Sequence, residues 1–246
     1  MADRDEILAF ADELLDVASY PDYGPIGLQV VGADEVTTLA CGVSASQELF
    51  AHAATIGAQM AIVHHGLFWD RDPRVVDGRM KGRLKVLFDA DITLAAYHLA
   101  LDAHRELGNN ARLASELGME LEEPFDVGYG ARFADPVSPE EFTRRVRDVL
   151  GREPLSFLYG PGEIRRVAII SGGAAGRLPQ AAAEGYDALL TGEAAEPSMM
   201  TARELGIHFV AGGHYATERL GVQALSRRLA EEFSLDWYFI ELVNPV

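Results

Sequence analysis

One cysteine, Cys41, is all the thiol chemistry this 246-residue chain carries. An internal disulfide framework is thereby excluded, and so is a thiolate-rich zinc or iron–sulfur site assembled from one chain. Any bound metal must use nitrogen and oxygen. Basic residues are scarce as well: 21 Lys and Arg stand against 38 Asp and Glu, a formal net charge of −17. No lysine-arginine run interrupts that excess, which works against attraction to nucleic acid or anionic lipid. A stretch of about 18 consecutive apolar residues, the length a spanning helix needs, is missing too, so no membrane partner is expected. The opening MADRDEILAFADELL is acidic and amphipathic, without the basic start and apolar centre of a secretion signal. The expected compartment is the cytoplasm.

What is present is a composition of 48% hydrophobic and 24% charged residues, that of a globular protein with ample core. Apolar β-branched runs alternate with segments of helical period, which predicts an α/β fold with sheets flanked by helices. Strands are expected at VTTLACGV, MAIVHHG, ITLAAYHL, RRVAIISGG, DALLTGE and IHFVAGG. Helices are expected at about residues 4–18, after the N-cap Ser46, at MKGRLKVLFDAD, at PEEFTRRVRDVLG and from about Tyr215 to Phe233. The glycine- and proline-rich passage FDVGYGARFADPVSP reads as a lobe boundary. Two α/β lobes follow from this: residues 1–125 plus 212–246, carrying the metal ligands, and residues 126–211, with the metal site between the lobes.

Of seven histidines, four lie where a predicted strand gives way to polar residues: His64 and His65 after MAIV, His98 after TLAAY, and His214 after HFVAGG. Open α/β sheets bind ligands beyond the carboxyl ends of their strands, so the position matters. Adjacent residues in a strand face opposite ways, and His64 and His65 can serve neighbouring ions only if the strand ends there, as Gly66 permits. The alternative is one buried ring bonded to backbone beside one solvated ring. Asp102 follows His98 by four residues and Glu218 follows His214 by four, a spacing that puts His214 and Glu218 on one helical face.

Neutral His64, His65 and His214 with ionised Asp102 and Glu218 leave a surplus of about +2 on two divalent cations. That surplus favours hydroxide or an anionic substrate oxygen, as in hydrolases whose paired metals lie about 3.5–4 Å apart. Imidazole and carboxylate together suit zinc, iron or manganese. Glu193 in LLTGE is a candidate proton shuttle or a helix-entry carboxylate. Phe68 and Trp69 can wall a pocket or pack in the core, Asn109 and Asn110 read as a helix start, and SGGAAG reads as a strand-to-helix turn. His52 and His208 are placed outside the site, and His104 is a candidate second-layer partner.

GLQV, HHGLFW, YHLALDAH with GNNARLA, TGE and GHYATER occur in the order seen in the Nif-three-like proteins, from about residue 5 to the C-terminus, and the chain resembles that family in its short form without an inserted domain. The resemblance implies a toroidal homohexamer with a dinuclear metal centre, and a kinship with proteins labelled homologues of a type 2 GTP cyclohydrolase I. It implies metal ligation by His64, His65, Asp102, His214 and Glu218, with Glu218 bridging, and holds His98 as a further ligand or an orienting group. Ile26 stands before GLQV where an asparagine is common in the family. The expected function is a metal-dependent hydrolase of a small anionic or nucleotide substrate, GTP cyclohydrolase-like. The alternative is a noncatalytic metal-binding regulatory or metal-delivery protein.

Overall fold

The first helix begins where Asp3 caps it, accepting from the backbone N–H of Asp5 (2.9 Å) and Glu6 (3.0 Å), in a computed structural model that describes all 246 residues. Its apolar stripe buries Ile7, Leu8 and Ala11. The chain forms two compact units, Met1–His104 with Gly221–Val243, and Arg105–Leu220 with Asn244–Val246. The first contains β1 (Ala2–Asp3), α1 (Arg4–Leu14), β2 (Gly27–Val30), β3 (Glu35–Val36), β4 (Thr38–Ser44), α2 (Gln47–Thr55), β5 (Met60–His65), α3 (Gly78–Asp89), β6 (Thr93–Ala96) and α4 (Leu99–Asp102). The second contains α5 (Asn109–Glu116), β7 (Glu120–Phe125), β8 (Gly128–Val137), α6 (Pro139–Leu150), β9 (Leu155–Leu158), β10 (Ile164–Ile169), α7 (Leu178–Ala183), β11 (Ala188–Thr191), α8 (Ser198–Leu205), β12 (His208–Ala211) and α9 (His214–Thr217). Most of α10 (Arg219–Phe233) and all of β13 (Asp236–Phe239) belong to the first unit again.

The first unit is built on a five-stranded sheet of order β13-β4-β5-β6-β2, parallel except for β2. Its central strand β5 is a continuous buried run up to His64, as expected of a parallel strand covered on both faces. The helix α2 that leads into it is capped by Ser46 Oγ, which accepts from Leu49 N at 3.1 Å. Leu49, Phe50 and Ala53 then pack with Ala61, Val63 and Leu94 in the core. An expectation of helix through residue 18 shortens to Leu14, where Asp16 takes a left-handed backbone conformation and a 3-10 turn follows.

The second unit carries a six-stranded mixed sheet, β7-β8-β10-β11-β12-β9, with β10, β11 and β12 parallel. The helix α6 has a Ser138 cap and Pro139 in its first turn, and buries Phe142, Val146 and Leu150 on one face. FDVGYGARFADPVSP, residues 125–139, which reads from sequence as a boundary, is the turn after β7 and the whole of β8, and β8 pairs antiparallel with β7 from Phe125↔Gly128 to Glu120↔Arg132. The units divide instead at 104/105 and at 220/221, so His214 and Glu218 fall in the second unit rather than with the first. The expected single helix from Tyr215 is two helices, broken at Glu218 (φ −108°, ψ 6°). No helix is long and apolar enough to cross a membrane.

Candidate metal centre

In the first unit, β5 ends on His65 as the double histidine required, and β6 ends just before Tyr97 and His98. His64 is fully buried, and its Nδ1 lies 2.9 Å from the backbone carbonyl of Tyr97. A carbonyl only accepts, so Nδ1 carries the hydrogen, and in the neutral ring Nε2 has the lone pair. That Nε2 lies 3.4 Å from Asp102 Oδ2, at the end of α4. His98 is held the same way: its Nδ1 donates to the buried carboxylate of Asp22 at 2.8 Å, while the second oxygen of Asp22 accepts from Leu99 N at 2.9 Å. His65 Nδ1 pairs with Ser44 Oγ at 3.1 Å on the neighbouring strand. Ligand atoms of His64, His65 and His98 all lie within 4.8 Å of one another. His64 is thus the buried ring bonded to backbone, and His65 beside it is half-buried.

The loop leaving β5 is fixed by Gln29, whose Oε1 accepts from Leu67 N (2.7 Å) and whose amide donates to Pro25 O (3.0 Å). A methyl on Gly66 would overlap that Gln29 amide, which is why a glycine closes HHG. Trp69 stands edge-on to His98, ring centroids 5.1 Å apart at 89°, and walls the histidine cluster rather than packing in the core.

In the second unit, the loops after β10, β11 and β12 are tied crest to crest. Gly172 O accepts from Gly192 N (2.7 Å) and from Thr191 Oγ1 (3.0 Å), Gly192 O accepts from Gly213 N (2.8 Å), and Gly172 N donates to Thr217 Oγ1 (3.0 Å). This lattice sets His214 Nε2 3.2 Å from Glu218 Oε1, the convergence that the four-residue spacing predicts, although a bent turn and not a continuous helix delivers it. Gly172 has φ +67°, and a methyl there would overlap Glu218 Oε1. His214 Nδ1 meets Glu193 Oε1 at 2.6 Å. Glu193 therefore grips the far nitrogen of His214, and it stands five residues ahead of α8 rather than at its entry. The hydrogen bond to Glu218 is the main cause that lifts the His214 pKa to about 9; burial opposes it, and the charges of Glu218 and Glu193 reinforce it. Without a cation, His214 is an imidazolium at neutral pH.

Of the remaining sequence candidates, Asn109 and Asn110 are buried at the start of α5, and Asn110 Oδ1 accepts from Ser171 N at 2.7 Å, pinning the loop after β10. His208 is spent structurally: Nδ1 accepts from Gly160 N (3.3 Å) and Nε2 bonds Pro161 O (2.8 Å). His52 lies in the exposed part of α2, and His104 just after α4. Sequence reasoning missed Asp22, Ser44 and Gln29.

The donor chemistry fits a divalent cation. The imidazoles of His64, His98 and His214 each bind an acceptor through Nδ1, the arrangement that fixes ligating histidines, and carboxylates of Asp102 and Glu218 lie beside the Nε2 atoms of His64 and His214. Fold and side chains define a class: an α/β protein with two main sheets and histidine–carboxylate groups of metal-ligating composition at its strand ends. The profile described as Duf34/NIF3 (NGG1p interacting factor 3) matches residues 2–245, and the chain belongs to that family. It is 48% identical over 242 residues to a Pseudomonas aeruginosa protein named GTP cyclohydrolase 1 type 2 homolog, covering 96% of this chain and 95% of that one. Among solved structures, a structural-genomics protein called ybgI, of unknown function, superposes with a TM-score of 0.96 at 42% identity, with full coverage of both chains. TTHA1606 from Thermus thermophilus superposes with a TM-score of 0.94 at 35% identity, again with full coverage.

Proposed function

We propose that His64, His65 and Asp102 of the first unit and His214 and Glu218 of the second hold two divalent cations, zinc, iron or manganese, in one dinuclear centre. His98 serves as a further ligand or as an orienting group. The reading is that of a metal-dependent hydrolase acting on a small anionic or nucleotide substrate, in line with the cyclohydrolase-homologue name borne by the relatives. The observation that carries it is the Nδ1 tether on His64, His98 and His214, which leaves Nε2 as the donor nitrogen of each neutral ring.

When bound, such cations act as Lewis acids and lower the pKa of water towards neutrality. The chain's own contribution is orientation. Tyr97 O and Asp22 fix the tautomers of His64 and His98, and Glu193 fixes that of His214. The low exposure of His64, Asp102 and Glu218 (0%, 4% and 3%) excludes bulk water from their donor atoms. The same burial favours a second reading, a noncatalytic metal-binding regulatory or metal-delivery protein, because structural sites are the more enclosed kind. A homohexameric ring is part of the proposal, carried by the family likeness.

The test is elemental analysis of protein purified without added metal, followed by turnover across a nucleotide panel that includes GTP. About two cations per chain with hydrolysis of one panel member supports the enzyme. Two cations without turnover on any member favours the noncatalytic reading, and a chain that takes up no cation overturns both.

A further inference from the structure

The six-stranded sheet of the second unit ends in two unlike edges. On one side the outer strand is β7, which carries Glu120, Glu122, Glu123 and Pro124, and its register against β8 shifts between Leu121 and Pro124. Charge, proline and irregular pairing are the features that keep an edge from recruiting another strand. On the other side the outer strand, β9, has none of them. It pairs only with β12, in unbroken register from His208↔Leu158 to Ala211↔Leu155, and the stretch around it, PLSFLYGP at 154–161, holds no charged residue. Leu155 and Leu158 on the strand and Tyr159 just after it are exposed, and α8, which packs against β9, adds exposed Met199, Met200 and Leu205. An open row of backbone donors and acceptors thus runs beside an apolar surface.

We infer that β9 is the edge at which two copies of this chain join, antiparallel across a two-fold axis, so that their six-stranded sheets become one. The inference deepens the homohexameric reading, for which it names one contact, and it does not involve the cations. The strand is complementary to itself. In an antiparallel pair directly opposite residues lie on one face, and centring the axis on Phe157 is the register that uses residues 155–159 in full: Phe157 meets its copy, Leu155 meets Tyr159, and Ser156 meets Leu158. Charge selects the same arrangement. Arg152 stands before the strand and Glu163 after it, neither of them in an ion pair within the chain, whereas Glu153 is held by Arg147 at 3.9 Å. Antiparallel copies bring the Arg152 end of one strand beside the Glu163 end of the other, and the two-fold axis repeats the match. Elsewhere a net charge of −17 on each copy opposes contact, so an uncharged strand with opposite charges beyond its two ends is where like chains meet.

The test is the mass of the full chain in solution, measured by sedimentation, with circular dichroism as the check on folding. Leu155→Lys combined with Tyr159→Lys sets like charges opposite each other across the axis and should halve the mass of the assembly. Leu155→Lys combined with Tyr159→Glu sets opposite charges there and should keep the parental mass. Leu155→Cys combined with Tyr159→Cys should link chains in pairs on mild oxidation, which reads the same contact without adding charge. Six chains falling to three supports both the edge and the ring, and two falling to one supports the edge and refutes the ring. Six chains that stay six in a folded double-lysine variant refute the edge and spare the ring. A lysine–glutamate variant that dissociates like the double lysine, or a cysteine pair that never links chains, overturns the inference. A monomeric parent overturns it too, and leaves the edge to an extended segment of another protein.

Discussion

In the first unit His64 has no exposed surface and its tether is a backbone carbonyl; in the second, His214 is 30% exposed and its tether, the Glu193 carboxylate, is 44% exposed. Both units place these side chains at or just after the carboxyl ends of parallel strands, β5 and β6 in one and β11 and β12 in the other. Aim is enforced differently. The first unit relies on burial: the Asp22 side chain is 3% exposed and carries three hydrogen bonds, to His98, Leu99 and Tyr23. The second relies on glycine-rich loops bonded to one another, with a charge pair on top. Burial resists exchange with water, whereas a partly exposed tether has a water ready to replace it.

Removing a ligand from either unit should produce the largest effect. His64→Ala and Glu218→Ala are each expected to lower cation affinity by more than roughly a hundredfold, beyond the range of indirect partners. Calorimetric titration with zinc checks this. If one of the two variants retained full stoichiometry, the centre would belong to a single unit and the comparison would change into a division between site and bystander.

Gly172→Ala comes next and strikes only the second unit. A left-handed backbone at a non-glycine residue costs about 1–3 kcal/mol, and the added methyl would also push on the Glu218 carboxylate. Weaker zinc binding together with a lower unfolding midpoint is expected. A variant with parental affinity would mean that Glu218 can reach its cation from another rotamer.

The tethers sharpen the contrast. Asp22→Asn should cost roughly 10–100-fold in affinity and Glu193→Gln should lie at or below the bottom of that range, because water can stand in at the exposed carboxylate. Equal losses would show that exposure does not grade the tether. Nitrogen chemical shifts of the two imidazoles report tautomer directly, a readout that a merely destabilised fold would not move.

Much of this was legible in the chain. Ser46, Ser138 and Gly151 bound helices by local chemistry, and HHG at the end of a buried strand and H-x-x-x-E after a double glycine are patterns with geometric consequences. The missing parts are those that local pattern cannot encode. Asp22 meets His98 across 76 residues, Gln29 meets Leu67 across 38, and Ser44 meets His65 across 21. Strand order decides those meetings. The passage 125–139 reads as a lobe boundary because its Gly and Pro residues argue against a strand locally, while the pairing of β8 with β10 outweighs that propensity. Likewise the helix from Tyr215 breaks at Glu218 because Thr217 Oγ1 bonds back to Gly213 O (2.9 Å) and accepts from Gly172 N (3.0 Å), binding the turn to another loop.

The smallest effect compares the units by their opening. Cys41 lies on β4 with no exposed surface, and burial pushes its thiol up to about 12 from an ordinary 9.0, with the Ser226 hydroxyl acting against the shift. Well below pH 9 the thiol is protonated whether the chain is folded or not, so it contributes nothing to pH dependence there. Above that value the unfolded chain alone gives up the proton, and the fold loses about 1.4 kcal/mol per pH unit until the folded thiol titrates as well. At pH 8 iodoacetamide should therefore modify Cys41 only when the first unit opens, at a rate independent of reagent concentration once the reagent outruns reclosing. Amide exchange in β10–β12 of the second unit, followed in parallel, gives the other opening rate. Zinc should slow both together if ligands from the two units serve one centre, and thiol modification that ignored zinc while exchange in β10–β12 slowed would assign the cation to the second unit alone.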